Sequence, residues 1–390
     1  MKSASILFTV LCLLAGSALH AQDTVKYVKS LDGAYLNSSN GTDRLGGNKM
    51  GYIDKDIVFE VLDQDESLYK IKLSENRTAF IPVECVADTA ISDFRQVAVS
   101  GSISVTNAGE SDRIYIGLDS RKCYMIRQET NPEKMIIDLY GVQNNSNWIT
   151  QYLNLESVGS IEATQIDSDI MRLTVALMNK TSWGYSARYE EGGLVIDIKH
   201  LPEFSLKGMV IGIDAGHGGP DSPGARGRIS GVNEKDLNLD MALRLKRMLE
   251  AKGAKTVLTR EKDTSLSMAE RKAVFLANNV DMAVSIHCNA GGTASGTSTY
   301  YKHIQNRKYA QTVLESVLEI KGVNLFGLVG NFNFSLNSPT EYPNTLVETL
   351  FLSDPKDEAR LNDPQFRELI MSKVAKGIEN YIKYCKKVEK

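Results

Sequence analysis

The apolar pattern of this 390-residue chain changes period at Pro202, and that change requires at least two kinds of domain. Before it, Ile57, Phe59 and Val61, then Tyr69, Ile71 and Leu73, alternate with polar or edge positions, which is the period of short antiparallel strands. From Lys207 onward, strand-like runs alternate with helix-like ones, the pattern of a largely parallel sheet with crossover helices. The expected architecture is an α/β domain with a mostly parallel sheet over 207–388, preceded by two all-β domains: a small barrel over 22–92 and a β-sandwich over 97–200.

The first residues read as an address. Lys2 precedes an apolar stretch from Ile6 to Ala15, and Ala18-Leu19-His20-Ala21 supplies small residues for cleavage after Ala21, so 1–21 is expected to be a secretory signal peptide. Ten apolar residues are too few to cross a bilayer, which takes about 20, and no later run is long enough, so no transmembrane anchor is expected. Cys12 is a poor lipidation site because the bulky Leu11 precedes it. The other cysteines, Cys85, Cys123, Cys288 and Cys385, are too scattered for a disulfide framework or a CxxC metal site and are expected to be single buried thiols.

Glycines at 33, 41, 46, 47 and 51 punctuate the first β region. The second contains an internal repeat. Arg113–Leu118 returns as Arg172–Leu177, and Met135–Leu139 returns as Leu194–Ile198 at the same interval, with Tyr124 falling on Trp183. Repetition at a fixed interval marks repeated supersecondary units, and two such halves are expected to face each other in a sandwich.

In the α/β region, strands are expected at Met209–Ile213, Thr256–Leu258, Met282–Ile286, Thr297–Tyr301 and Thr345–Val347. Asn233 is the expected N-cap of a helix over Glu234–Lys252, and Ser267 with Glu270 forms a capping box for a helix reaching Asn279. A further helix is expected near Asn306–Leu318. A long C-terminal one opens with Asp363 as N-cap and Pro364 as first helical residue, burying Phe366, Ile370, Val374, Ile378, Tyr381 and Cys385.

Charge and histidine content narrow the chemistry. A formal net charge of −3 without any basic block argues against nucleic acid as a partner. Beyond the signal there are four histidines: His200, His217, His287 and His303. His217 and His287 each follow a predicted strand, in Asp214–Gly219 and Ser285–Ala290, and open α/β sheets bind ligands outside the carboxyl ends of their strands. Glu234 opens the helix after the first of these loops, where the helix dipole favours a carboxylate, and Glu348 ends a strand on the same edge. Two imidazoles and a carboxylate with a fourth corner left for water form a catalytic Zn²⁺ arrangement, with ligands at about 2.0–2.2 Å. His217, Glu234 and His287 are the candidate ligands, and Glu348 is the candidate to take up the water proton and hand it to a leaving amine. With no HExxH-type motif present, the residues alone leave a second reading open, in which these loop histidines only hydrogen-bond backbone.

Resemblance narrows the choice. Gly33–Asn37, Tyr69–Leu73 and Ala79–Ile81 resemble a bacterial SH3-like domain, and the repeat-bearing region resembles the AMIN domain, a β-sandwich associated with cell-wall targeting in exported amidases. Ile213–Gly219, Asn233–Leu239, Ser285–Ala290 and Val347–Ser353, in that order, resemble the zinc N-acetylmuramoyl-L-alanine amidases of the amidase-3 type across about 207–384. The resemblance implies hydrolysis of the amide between the lactyl group of N-acetylmuramic acid and the first alanine of the stem peptide. It makes His217, Glu234 and His287 the zinc ligands and Glu348 the catalytic carboxylate. Thr259, Arg260 and Arg271 also match family positions and are expected to be structural, and Asp354, where the family more often has asparagine, bears on loop packing. The span from His287 to Glu348 leaves no room for the helical plug of some relatives, so the site is expected to be open without an activator. Peptidoglycan is the implied partner, with cell-division or wall-associated proteins reached through the β domains, in the periplasm or outside the cell.

Four rival readings arise. Cys288 beside His287 suggests a cysteine nucleophile, but adjacent strand side chains point to opposite faces; a serine hydrolase lacks its GxSxG elbow. A zinc peptidase acting within the stem peptide and an inactive wall-binding protein are the alternatives that products and turnover distinguish.

Overall fold

The computed structural model describes residues 25–41, 46–90, 92 and 94–390; the signal-peptide reading of 1–21 lies outside these residues. The first unit has strands Tyr27–Ser30 (β1), Tyr35–Asn37 (β2), Lys49–Tyr52 (β3), Val58–Gln64 (β4), Leu68–Ser74 (β5), Arg77–Pro82 (β6) and Val86–Thr89 (β7). They form one sheet in the order β3-β2-β6-β5-β4-β1-β7. The period-two pattern turns Leu36, Phe59, Ile71 and Ile81 inward, and Cys123 of the next unit completes this core.

The second unit runs through Ala98–Asn107 (β8), Ser111–Leu118 (β9), Tyr124–Glu129 (β10), Lys134–Tyr140 (β11), Val142–Gln143 (β12), Ile149–Gln151 (β13), Val158–Asp167 (β14), Ile170–Leu177 (β15), Tyr185–Glu190 (β16) and Gly193–Lys199 (β17). One sheet is ordered β10-β11-β15-β14 and the other β12-β8-β9-β17-β16, with β13 on β8. The repeated halves therefore do not face each other as blocks. Each sheet takes one hairpin from each half, and the repeat-related charges cross over: Arg172 grips Asp138 at 2.6 and 2.8 Å, and Arg113 grips Asp197 at 2.7 and 3.1 Å. Partly exposed pairs of this kind contribute about 0–1 kcal/mol each; their two-pronged geometry pins the register between halves. Trp183, the repeat mate of Tyr124, leaves the sandwich altogether and packs on Phe204 and Tyr381 in the α/β core.

In the third unit the strands are Val210–Ala215 (β18), Lys255–Leu258 (β19), Met282–Asn289 (β20), Thr297–Tyr300 (β21), Leu325–Val329 (β22) and Asn344–Phe351 (β23). The helices are Glu234–Glu250 (α1), Met268–Ala277 (α2), Arg307–Val317 (α3), Pro355–Asn362 (α4) and Pro364–Val388 (α5). The sheet order is β19-β18-β20-β23-β21-β22; the first four strands are parallel and β21 runs antiparallel to β23. Met282, Val284, Ile286 and Cys288 pack toward α1, α3 and α5, whereas Ala283 packs with Phe275 of α2 and Tyr342. The period of β20 thus sends Cys288 into the core and leaves His287 on the face shared with Ser285. Strand β22 and helix α4 carry no element in the sequence reading. The Ser267–Glu270 capping box and the Asp363 cap with Pro364 form as expected, but Asn233 makes no side-chain cap bond.

The units touch one another. Tyr124 donates to Asp54 at 2.8 Å, the Glu75 N–H to Asp169 at 2.9 Å, and Asn333 Nδ2 to the Gly46 carbonyl at 2.7 Å. Among the described residues no helix is long and apolar enough to cross a membrane. Cys123, Cys288 and Cys385 are free and buried; Cys85 is free but only half-buried, against expectation.

Candidate metal centre and active site

Four side chains meet at the carboxyl edge of the parallel strands. His217 lies just past β18, Glu234 is the first residue of α1, His287 is on β20, and Glu348 lies opposite His287 in the β20–β23 register. Glu234 sits between the imidazoles: its Oε2 is 3.2 Å from His217 Nε2 and its Oε1 is 3.0 Å from His287 Nδ1. The two rings are 5.0 Å apart and nearly perpendicular. Ligand atoms of His217, Glu234 and His287 all lie within 4.8 Å of one another.

The backbone that carries His217 is held tightly. His217 has φ 61°, an uncommon conformation outside glycine, and such residues persist where surroundings over-determine them. Here the carbonyls of three successive residues are taken. Arg260 donates to Ala215 and Gly216, and Arg271 donates to Ala215 at 2.8 Å and to His217 at 2.6 Å. Asn238, one turn into α1, donates to both the Gly216 carbonyl and Glu234 Oε1 at 3.2 Å. Thr259, whose hydroxyl donates to Asp214 at 2.8 Å, joins Arg260 and Arg271 in a structural role. Gly224 (φ +71°) lets the loop pass Glu234, because a Cβ there would lie 2.6 Å from Oε2.

The remaining bonds orient the donors. His217 Nδ1 is 3.2 Å from Ser222 Oγ, and Thr349 Oγ1 donates to the His287 carbonyl at 2.9 Å. Glu234 also accepts from the Ala225 N–H at 2.8 Å and the Cys288 N–H at 3.0 Å. Burial pushes the Glu234 carboxyl up, yet hydrogen bonds from the two histidines outweigh it and hold the group well below the ordinary glutamate range. Burial pulls His287 down, but Glu234 overcomes this and raises it to about 9. Burial, against the pull of His287, pushes Glu348 up to about 7.

Two buried polar atoms here have no hydrogen-bond partner among the described residues: His287 Nε2 and Glu348 Oε2. Leaving such atoms unpaired costs about 1–3 kcal/mol each, so their presence together at one rim fits a site made for an ion and a reacting group. Two imidazoles with one carboxylate are a donor set that suits Zn²⁺ with an open position. Phe334 closes one side, its ring edge-on to His287 at 5.8 Å.

Other sequence candidates lie elsewhere. His200 pairs with Asp112 at 2.9 Å, and His303 bonds the Ser338 carbonyl at 2.9 Å. Cys288 Sγ turns away toward Asn238 and Thr349, and burial raises its thiol far above the range of a reactive thiolate. Asp354 caps α4 by accepting from the Lys356 and Asp357 N–H groups, so its carboxylate serves the loop. The sequence reading missed Asn238 and Phe334; for Asn238, its position one turn after Glu234 on the same helix face was the available signal.

Comparison with known proteins supplies the remaining facts. Residues 211–380 match the N-acetylmuramoyl-L-alanine amidase family model, and residues 102–198 match the AMIN domain. The germination-specific N-acetylmuramoyl-L-alanine amidase of Bacillus subtilis is 32% identical over 200 residues, spanning 45% of this chain and 81% of that protein. Uncharacterized protein YqiI of the same organism is 33% identical over 181 residues, spanning 45% of this chain and 86% of its own length. The catalytic domain of the amidase CwlV from Bacillus (Paenibacillus) polymyxa var. colistinus is 33% identical, aligning 45% of this chain with 98% of that domain at a TM-score of 0.43.

Proposed function

The chain belongs to the N-acetylmuramoyl-L-alanine amidase family, and from that premise we propose that His217, Glu234 and His287 hold a catalytic Zn²⁺ and that Glu348 carries the proton in amide hydrolysis. The observation that carries this is the convergence of the four side chains at one strand edge, with His287 Nε2 and Glu348 Oε2 unpartnered. The enzyme is a cell-wall amidase acting on peptidoglycan, and the bond cut is the one between the lactyl carbonyl of N-acetylmuramic acid and the first alanine of the stem.

Bound by these three residues, Zn²⁺ supplies Lewis acidity toward the amide carbonyl and brings the pKa of water near 7. Ser222 and Asn238 fix the orientation of His217 and Glu234, as outer partners of metal ligands do. Glu348 accepts the attacking water's proton at Oε2 and returns it to the alanine nitrogen as the C–N bond breaks. Burial favours the protonated form of Glu348, which a group that must hand the proton on requires. Phe334 shields His287 from bulk water on one side. In this reading the first β unit is an SH3-like module, the AMIN domain directs the enzyme to the wall, 1–21 is its export signal, and the site works without an activator. The protein acts outside the cytoplasm, in the periplasm or beyond the cell.

Digestion of purified peptidoglycan by the full chain, followed by mass analysis, tests the reading. The expected products are stem peptides beginning with alanine and an intact glycan, abolished by a chelator and restored by Zn²⁺. Alanine left on the sugar would point to a peptidase, and undigested wall to a binding protein.

A further inference from the structure

A cleft of ≈ 600 Å³ separates the first β unit from the segment between β22 and β23, a size typical of sites for small ligands. One wall is Phe332, Asn333 and Phe334; the other carries Tyr35, Asn37 and Lys49, with Glu84 as its one carboxylate among the described residues. The cleft begins one side chain from the metal centre, since Phe334 both lines it and packs its ring on His287. Its two walls are tied together: Asn333 Nδ2 donates to the Gly46 carbonyl at 2.7 Å, and the Tyr52 hydroxyl lies 3.5 Å from Ser335 Oγ.

The cleft presents one open acceptor and one cation that is shared with two tyrosines. Asn333 Oδ1 is buried and accepts no hydrogen bond among the described residues. Lys49 Nζ lies 3.8 Å over the Tyr35 ring and 5.0 Å over the Tyr52 ring, with no carboxylate in ion-pair contact among the described residues.

We propose that this interdomain cleft is the subsite for the stem peptide beyond its first residue, so that the N-terminal β unit forms part of the substrate site. The proposal rests on the amidase reading above. The chemistry favours peptide over glycan. The sugars of the substrate are neutral, the lactyl carboxyl being tied up in the bond to be cut, and offer an ammonium only uncharged acceptors. A peptide supplies free carboxylates for Lys49 and backbone N–H groups for Asn333 Oδ1. Arrangement on two domains also explains why the loop that shields His287 is the one that meets the first β unit.

The test compares kcat/KM of the full chain with Zn²⁺ on N-acetylmuramoyl-L-alanine and on the same sugar bearing a tetrapeptide stem. Wild type is expected to prefer the longer stem, Lys49→Glu to lower that preference about tenfold, and Lys49→Arg to restore it. Equal kcat/KM for the two substrates in wild type, or a preference unchanged in a Lys49→Glu chain that melts at the wild-type temperature, overturns the proposal. Calorimetric titration of the metal-free full chain with the free tetrapeptide provides the second readout. Binding weakened about tenfold in Lys49→Glu and in Asn333→Leu supports the subsite, and no binding to wild type overturns it. If wild type releases no alanine-terminated peptide from either substrate, the amidase reading fails, while the titration still decides whether the cleft takes a peptide.

Discussion

Asp214 and Glu348 are carboxylates set in the same sheet, on β18 and β23, yet their surroundings differ in one respect. Asp214 Oδ1 accepts from Thr259 at 2.8 Å and Arg271 at 2.7 Å, and its Oδ2 accepts from Ser285 at 2.5 Å. Glu348 Oε2, buried one strand beyond His287, accepts from nothing among the described residues. Burial pushes both groups up; Arg271, His287 and the Ser285 hydroxyl reverse this at Asp214, whereas at Glu348 burial prevails. A polar cluster with every lone pair matched rigidifies a fold. One left open holds free energy in reserve for a ligand, and the His217–Glu234–His287–Glu348 rim is of that kind.

The largest effect that separates the two regions is on turnover. Glu348→Gln keeps shape and volume but cannot carry the proton, so kcat is expected to fall by about 10²–10⁴ while zinc content holds and the melting temperature does not fall, measured by product release, metal analysis and thermal scans. Retained turnover would remove the proton role from Glu348. The closed cluster answers in stability instead. Arg271→Met leaves Asp214 as an unpaired buried charge and should cost about 3–5 kcal/mol in denaturant unfolding, with the His217 loop loosened because the His217 carbonyl loses its donor. A loss under about 1 kcal/mol would contradict the scaffold role. Asn238→Ala lies between the two, since Asn238 touches Glu234 and the loop together. Zinc affinity should weaken about 10–100-fold, the usual cost of an outer partner, read by competition with a chelating dye.

The smallest effect is a difference in pH dependence with opposite signs, read on chelated protein. Asp214 is lowered in the fold, so its contribution is present above its unfolded value near 4 and is lost as pH falls through the folded one. Glu348 is raised to about 7, so its contribution is full below about 4.5 and is lost as pH rises through 7. Glu348→Gln should therefore gain on wild type between pH 4.5 and 8, by on the order of 1–3 kcal/mol. A gap that does not change with pH would place Glu348 in water.

Legibility in the sequence followed how local each determinant is. The site residues were readable because each stands at a strand end or helix start, in a fixed order within short motifs, and topology then brings such positions to one edge. The capping box at Ser267 and Glu270 and the Asp363-Pro364 start were readable for the same reason. Strand β22 was not: Leu325 and Phe326 lie exposed on the sheet edge, so no alternation marks it. Helix α4 is short and polar, and its start depends on Asp354 and Pro355 rather than on an apolar stripe. The repeat showed which residues of the sandwich are equivalent but not that Arg172 seeks Asp138 and Arg113 seeks Asp197, because pairing between halves is a property of the assembled sheets. Trp183 departs from its repeat role for a similar reason: its partners, Phe204 and Tyr381, come from outside the sandwich. Its place in the α/β core means that a fragment starting at 207 would lack part of that core.

The central claim is that His217, Glu234 and His287 grip one zinc ion beside Glu348. Anomalous X-ray scattering from crystals of the full chain grown with Zn²⁺, recorded on both sides of the zinc edge, tests it most directly. The account predicts one strong peak within about 2.0–2.3 Å of a donor atom from each of the three residues. A peak elsewhere, or none with the three side chains splayed beyond bonding reach, would contradict it.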